Sequence, residues 1–207
     1  MIIIGYQGIG KSTLSKRNLK YIDLESGCFW VNGNRDENWY IEYTQIAEHL
    51  SKQGYIVFVS SHEVVRNALR DSSEKVCCCF PSVELKDVWI EKLKQRYNES
   101  GLEKDKKAYL NAKDRYVENI NEIKISGFDN IIIKDMQYSL QKEIDTYLYC
   151  NLTLTSLKVK LLKRKQELLL KWQESYDKKI STHTLEIDAK IDELDEILNL
   201  VEDFKHE

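Results

Sequence analysis

Met1-Ile2-Ile3-Ile4-Gly5-Tyr6-Gln7-Gly8-Ile9-Gly10-Lys11-Ser12 decides the fold. Ile2 to Ile4 is a short apolar run and reads as a buried strand. Gly5 closes it, and Gly5-x-x-x-x-Gly10-Lys11-Ser12 has the spacing of a phosphate-binding P-loop. The residue types match that chemistry. Gly5, Gly8 and Gly10 allow a tight turn whose backbone N–H groups can surround phosphate oxygens. Thr13, Leu14, Ser15 and Lys16 open a helix whose positive dipole end falls at the same point. Lys11 reaches for the β- and γ-phosphates, and the Ser12 hydroxyl suits Mg²⁺. The expected nucleotide-binding segment is therefore Gly5, Gly8, Ile9, Gly10, Lys11, Ser12 and Thr13.

Beyond this loop the chain alternates strands and helices. Lys20 to Leu24 reads as a second strand that delivers Asp23 and Glu25 to its C-terminal end, where ligands gather in open α/β sheets. Asn32, Gly33 and Asn34 are turn formers. Trp39, Tyr43, Ile46, Ala47 and Leu50 have helical spacing, with Gly54 as the stop. Tyr55 to Val59 is a β-branched run typical of a central parallel strand, followed by Ser60-Ser61-His62 and a helix through Val65 and Leu69. Val76 to Phe80 is a further strand, closed by Pro81, and Ser82 can cap the helix that follows. Gly101 divides two polar helices, and Phe128 to Ile133 is the last strand. This order predicts an α/β fold: a three-layer P-loop NTPase architecture with a parallel sheet.

From Asn151 the composition changes. No glycine occurs from there to Glu207. Two amphipathic stretches remain, marked by Leu154, Leu157, Leu161, Leu168 and Trp172, and by Ile180, Ile187, Ile191, Leu194, Leu198 and Val201, the second at near-heptad, coiled-coil spacing. The first carries six basic residues between Ser156 and Trp172 against Glu167; the second carries nine acidic residues between Glu186 and Glu207 against Lys190 and Lys205. Opposite charge predicts an antiparallel helical hairpin over 151–207, docked on the domain of residues 1–150 or pairing two copies as a homodimer.

The chain of 207 residues carries 31 basic and 34 acidic side chains, a net charge of −3, which argues against nucleic acid as a partner. No apolar run approaches the roughly 18 residues of a membrane span, and the N-terminus lacks a basic leader. Cys28, Cys77, Cys78, Cys79 and Cys150 form neither a Cys-x-x-Cys pair nor a zinc spacing; Cys77 to Cys79 reads as buried strand in a reducing, cytoplasmic setting.

Gly5 to Ser12, the Asp23 strand end, Ser60-Ser61-His62 with Arg66, and an arginine-bearing helical insertion before the last strand together resemble the nucleoside monophosphate kinase group of P-loop kinases, particularly small phage-type nucleotide kinases. The resemblance covers about residues 1–149 and is specific only at the loop. It implies ATP and Mg²⁺ as cofactors and phosphoryl transfer to a nucleoside or deoxynucleoside monophosphate, driven by alignment and positive charge. It assigns Lys11 to the phosphates, Ser12 and Asp23 to the metal, and Arg66 to the acceptor phosphate. It also assigns Arg96 and Arg115 to a lid over residues 85–125. Each arginine has a competing reading as a solvated helix-face residue, and Asp23 as a turn acid. His62 reads mainly as structural, and Trp39 and Tyr43 mainly as core; Trp30 and Tyr40 flank the acceptor region and suit stacking on a base.

The chain departs from the family pattern where Ser60 and Ser61 stand in place of a metal-supporting aspartate, which counts against an ATPase motor. The absence of Asn-Lys-x-Asp counts against a GTPase. Two alternatives stay open: a kinase for another small phosphate or hydroxyl acceptor, and a nucleotide-binding interaction module that uses its helical tail.

Overall fold

The computed structural model describes residues 1–31, 34–177 and 181–203; Asn32, Gly33 and Ile180 lie outside them. Five strands form one parallel sheet: β1 (Ile2–Gly5), β2 (Tyr21–Asp23), β5 (Ile56–Ser60), β6 (Val76–Pro81) and β7 (Asp129–Ile133). Their spatial order is β2-β5-β1-β6-β7. β1 is central, with Ile3 opposite Phe58 on one side and Cys77 on the other. Ile2, Ile3, Ile4, Val57, Phe58, Val59, Cys77, Cys78 and Cys79 are fully buried, as continuous apolar strands covered on both faces must be. A separate two-residue hairpin, β3 (Trp30–Val31) and β4 (Asn34–Arg35), follows β2.

The helices are α1 (Lys11–Arg17), α2 (Trp39–Lys52), α3 (Glu63–Ala68), α4 (Lys86–Ser100), α5 (Glu103–Lys124), α6 (Leu140–Asp177) and α7 (Ser181–Asp203). From β1 the chain leaves through α1 towards β2; from β6 it leaves through α4 and α5 towards β7. These connections depart in opposite directions from adjacent strands. Right-handed crossovers then put their helices on opposite faces, giving three layers. They also open a crevice at the C-terminal ends of β1 and β6, the usual ligand position of such a sheet.

The insertion of residues 85–125 is not polar throughout. Trp89 and Leu93 of α4, and Tyr116, Ile120 and Ile123 of α5, are buried. Tyr116 stacks edge-on against Tyr6 and donates its hydroxyl to the Ser82 carbonyl at 2.9 Å. Gly101 joins the two helices at φ 64, and Arg115 interrupts α5 with a non-helical φ of −131°.

The chain divides into two units, Met1–Ile144 and Asp145–Glu207, so the division falls inside the unbroken helix α6 rather than at Asn151. In the second unit Lys158 pairs with Glu202, and Lys165 with Asp195 at 2.5 Å. Rising numbers on α6 meet falling numbers on α7, so the two helices run antiparallel. Leu168, Ile187, Leu198 and Val201 are buried there. No described helix is long and apolar enough to cross a membrane.

Candidate functional site

Gly8 and Gly10 hold φ of 85° and 97°, so the loop between β1 and α1 depends on residues without a Cβ. At Gly8 a Cβ would also lie 2.9 Å from Leu93 Cδ2 and 3.2 Å from Trp89 Nε1. The outward carbonyls of the loop are occupied. Trp89 Nε1 donates to Gln7 O at 3.0 Å, and the Tyr138 hydroxyl donates to Ile9 O at 3.0 Å. Lys92 sits over the Trp89 ring at 4.2 Å and donates to the Tyr138 hydroxyl at 3.2 Å. The amide side is the converse: among the described residues, none accepts a hydrogen bond from the N–H groups of Gly8 to Thr13. Six consecutive backbone donors without a protein acceptor, at the start of a helix, make a concavity of a kind suited to an anion.

Lys11 folds back onto β1, where its ammonium donates to Gly5 O at 3.0 Å and Tyr6 O at 3.1 Å. Burial pulls its pKa below the ordinary lysine value, while Asp23, Cys79 and Glu25 act in the opposite direction. Ser12 Oγ donates to Asp23 Oδ2 at 2.5 Å, so the hydroxyl and the carboxylate named from sequence meet although they lie on different elements. This pair fits a magnesium ion, which keeps several waters and takes one or two protein oxygens beside substrate phosphates. No cluster of three or more His, Cys, Asp or Glu residues suited to a metal occurs among the described residues.

The loop opens into a cavity of about 1740 Å³, lined by residues of the first unit alone. Nine lysines and arginines line it against five acids, although the chain as a whole is negative. Arg66, Arg96 and Arg115 all reach it. Each already has carboxylate partners. Arg66 is buried; its guanidinium donates to Ser61 O at 2.5 Å and lies 3.5 Å from Glu122. Arg96 pairs at 2.9 Å with Asp105, a buried carboxylate that also accepts from Ser100 Oγ at 2.6 Å. Arg115 grips Glu118 with two hydrogen bonds of 2.7 and 2.8 Å and reaches Glu122 at 3.1 Å, which raises its pKa.

On the β2 side, Tyr43 is core: its hydroxyl donates to Leu24 O at 2.7 Å and accepts from the Ser60 N–H at 2.9 Å. Burial pushes its pKa to about 12. His62 Nδ1 lies 2.8 Å from Ser60 Oγ, and its ring meets Trp39 edge-on. Arg35 is a cavity residue that sequence reading missed. Its guanidinium lies 3.3 Å over the Trp39 ring and 5.6 Å from that of Trp30, and it donates to Ser26 O. Trp30 remains exposed on the cavity wall, and Lys104 of α5 reaches Glu25 at 3.6 Å. Compared with family models, curated proteins and solved structures, the chain matches none.

Proposed function

We propose that the chain is a P-loop phosphotransferase that passes the γ-phosphoryl group of ATP to a nucleoside or deoxynucleoside monophosphate. The observation that carries this reading is the run of six unpartnered amides at Gly8 to Thr13, beside Lys11, at the mouth of a cationic cavity. A polyphosphate supplies the acceptors those donors lack. The cavity volume supports two substrates rather than one, since single small-ligand pockets span roughly 300–1,000 Å³.

In this reading the loop amides and Lys11 hold the β- and γ-phosphates. Lys11 leaves the Gly5 and Tyr6 carbonyls to do so. Ser12 and Asp23 would hold Mg²⁺, which neutralises charge on the phosphates when bound. The protein's own work is alignment, water exclusion and positive charge around the transferring group. The exposed Trp30 and the Arg35–Trp39 stack offer flat surfaces to an acceptor base. The test is γ-labelled ATP offered with a panel of nucleoside and deoxynucleoside monophosphates. Label should appear on one class of acceptor with the native chain and on none with Lys11→Ala. A panel without labelled product would leave a nucleotide-binding module as the better reading.

A further inference from the structure

Glu122 lies between two guanidiniums. Its Oε2 faces Arg66 at 3.5 Å and its Oε1 faces Arg115 at 3.1 Å, and all three residues line the cavity. Arg66 is buried, so without Glu122 its only described partner would be the Ser61 carbonyl. A carboxylate is the side-chain group closest to a phosphate in charge and oxygen spacing, and arginine's fork accepts either. We propose that Glu122 occupies the place of the acceptor's phosphate between Arg66 and Arg115, and gives way when a phosphate monoester enters.

The proposal rests on the phosphotransfer reading and adds to it where the acceptor's phosphate sits, since a bare hydroxyl has no charge with which to displace Glu122. Exchange is feasible here for two reasons. Glu122 and Arg115 are both substantially solvent-exposed, and exposed ion pairs hold weakly. Arg115 also sits at the break in α5, where the helix can turn the side chain without losing a full ladder of hydrogen bonds. Arg96 offers the contrast. Its partner Asp105 is buried, so drawing Arg96 away would strand a desolvated carboxylate. Arg96 therefore keeps its partner and braces the α4–α5 junction.

The experiment is a titration of the full chain with inorganic phosphate, carried out in a Lys11→Ala background to weaken phosphate binding at the loop. Glu122→Gln, and independently Glu122→Ala, should tighten phosphate binding about tenfold. Adding Arg115→Ala should cancel that gain, the coupling a double-mutant cycle reads. Glu25→Gln removes the same charge from the cavity wall where Lys104, not these arginines, is the partner, and should give a much smaller gain. Unchanged or weaker phosphate binding in both Glu122 variants overturns the proposal, as does an equal gain from Glu25→Gln. Pyrophosphate binding to the native chain and to Lys11→Ala reports on the loop separately. Equal binding by the two would sink the phosphotransfer reading whatever Glu122 does.

Discussion

At Gly8 two requirements coincide: a positive φ and contact with the indole and leucine of α4. Leu93 and Trp89 are buried. Gly8→Ala should therefore cost roughly 1–3 kcal/mol of stability and abolish nucleotide binding, measured by chemical denaturation and by titration with ADP. Arg66→Ala should cost roughly 1.5–3 kcal/mol, since it removes a buried, charged hydrogen bond to Ser61. A variant as stable as the native chain would show that the guanidinium is not needed by the fold. The spacing of Gly5, Gly10, Lys11 and Ser12 was legible in the sequence because the loop is local. The groups that hold it were not: Trp89 and Tyr138 reach Gln7 and Ile9 across 82 and 129 positions. Arg35 carried no signal either. It lies beside turn-forming residues, and its stacking on Trp39 is set by a hairpin too short for a period to mark.

The β strands were the easiest elements to read. Burial on both faces leaves continuous apolar runs, and β5, β6 and β7 fall within a residue or two of those runs. The Cys77–Cys79 run shows what that burial does chemically. It pushes the thiol of Cys78 to about 11 and that of Cys79 to about 12, and raises that of Cys77 well above the ordinary thiol value. Near neutral pH these thiols stay protonated and shielded, and a thiolate is needed for reaction. Alkylation of the folded chain should thus be fast at two cysteines, the exposed Cys28 and Cys150, with the other three reacting only in denaturant. Fast reaction at any of the three would contradict the buried β6. Helices α4 and α5 were harder. Their composition is polar, yet Trp89, Tyr116 and Ile123 are buried. A few large side chains decide the packing, and average polarity conceals them.

At the scale of the molecule, sheet order creates the site. β1 and β6 lie side by side and send the chain in opposite directions, which places the glycine loop at the resulting crevice. The hydrophobic pattern implied parallel strands and an interior place for β5, but not that β1 sits in the middle. The change of composition at Asn151 was visible, whereas the continuity of α6 through it was not, because helical periodicity runs on across the division. Every residue lining the cavity precedes Asp145. A chain ended after Cys150 should accordingly keep Lys11-dependent ADP binding, read by calorimetry, and loss of that binding would make the second unit part of the site. The central claim is that the amides of Gly8 to Thr13 wrap a polyphosphate. Amide nitrogen–proton correlation spectra recorded during titration with magnesium-ADP test it most directly. The account predicts that the proton resonances of these six residues move downfield as they gain charged acceptors, and that Lys11→Ala suppresses the shift. Saturable ADP binding with these six resonances unmoved would contradict it.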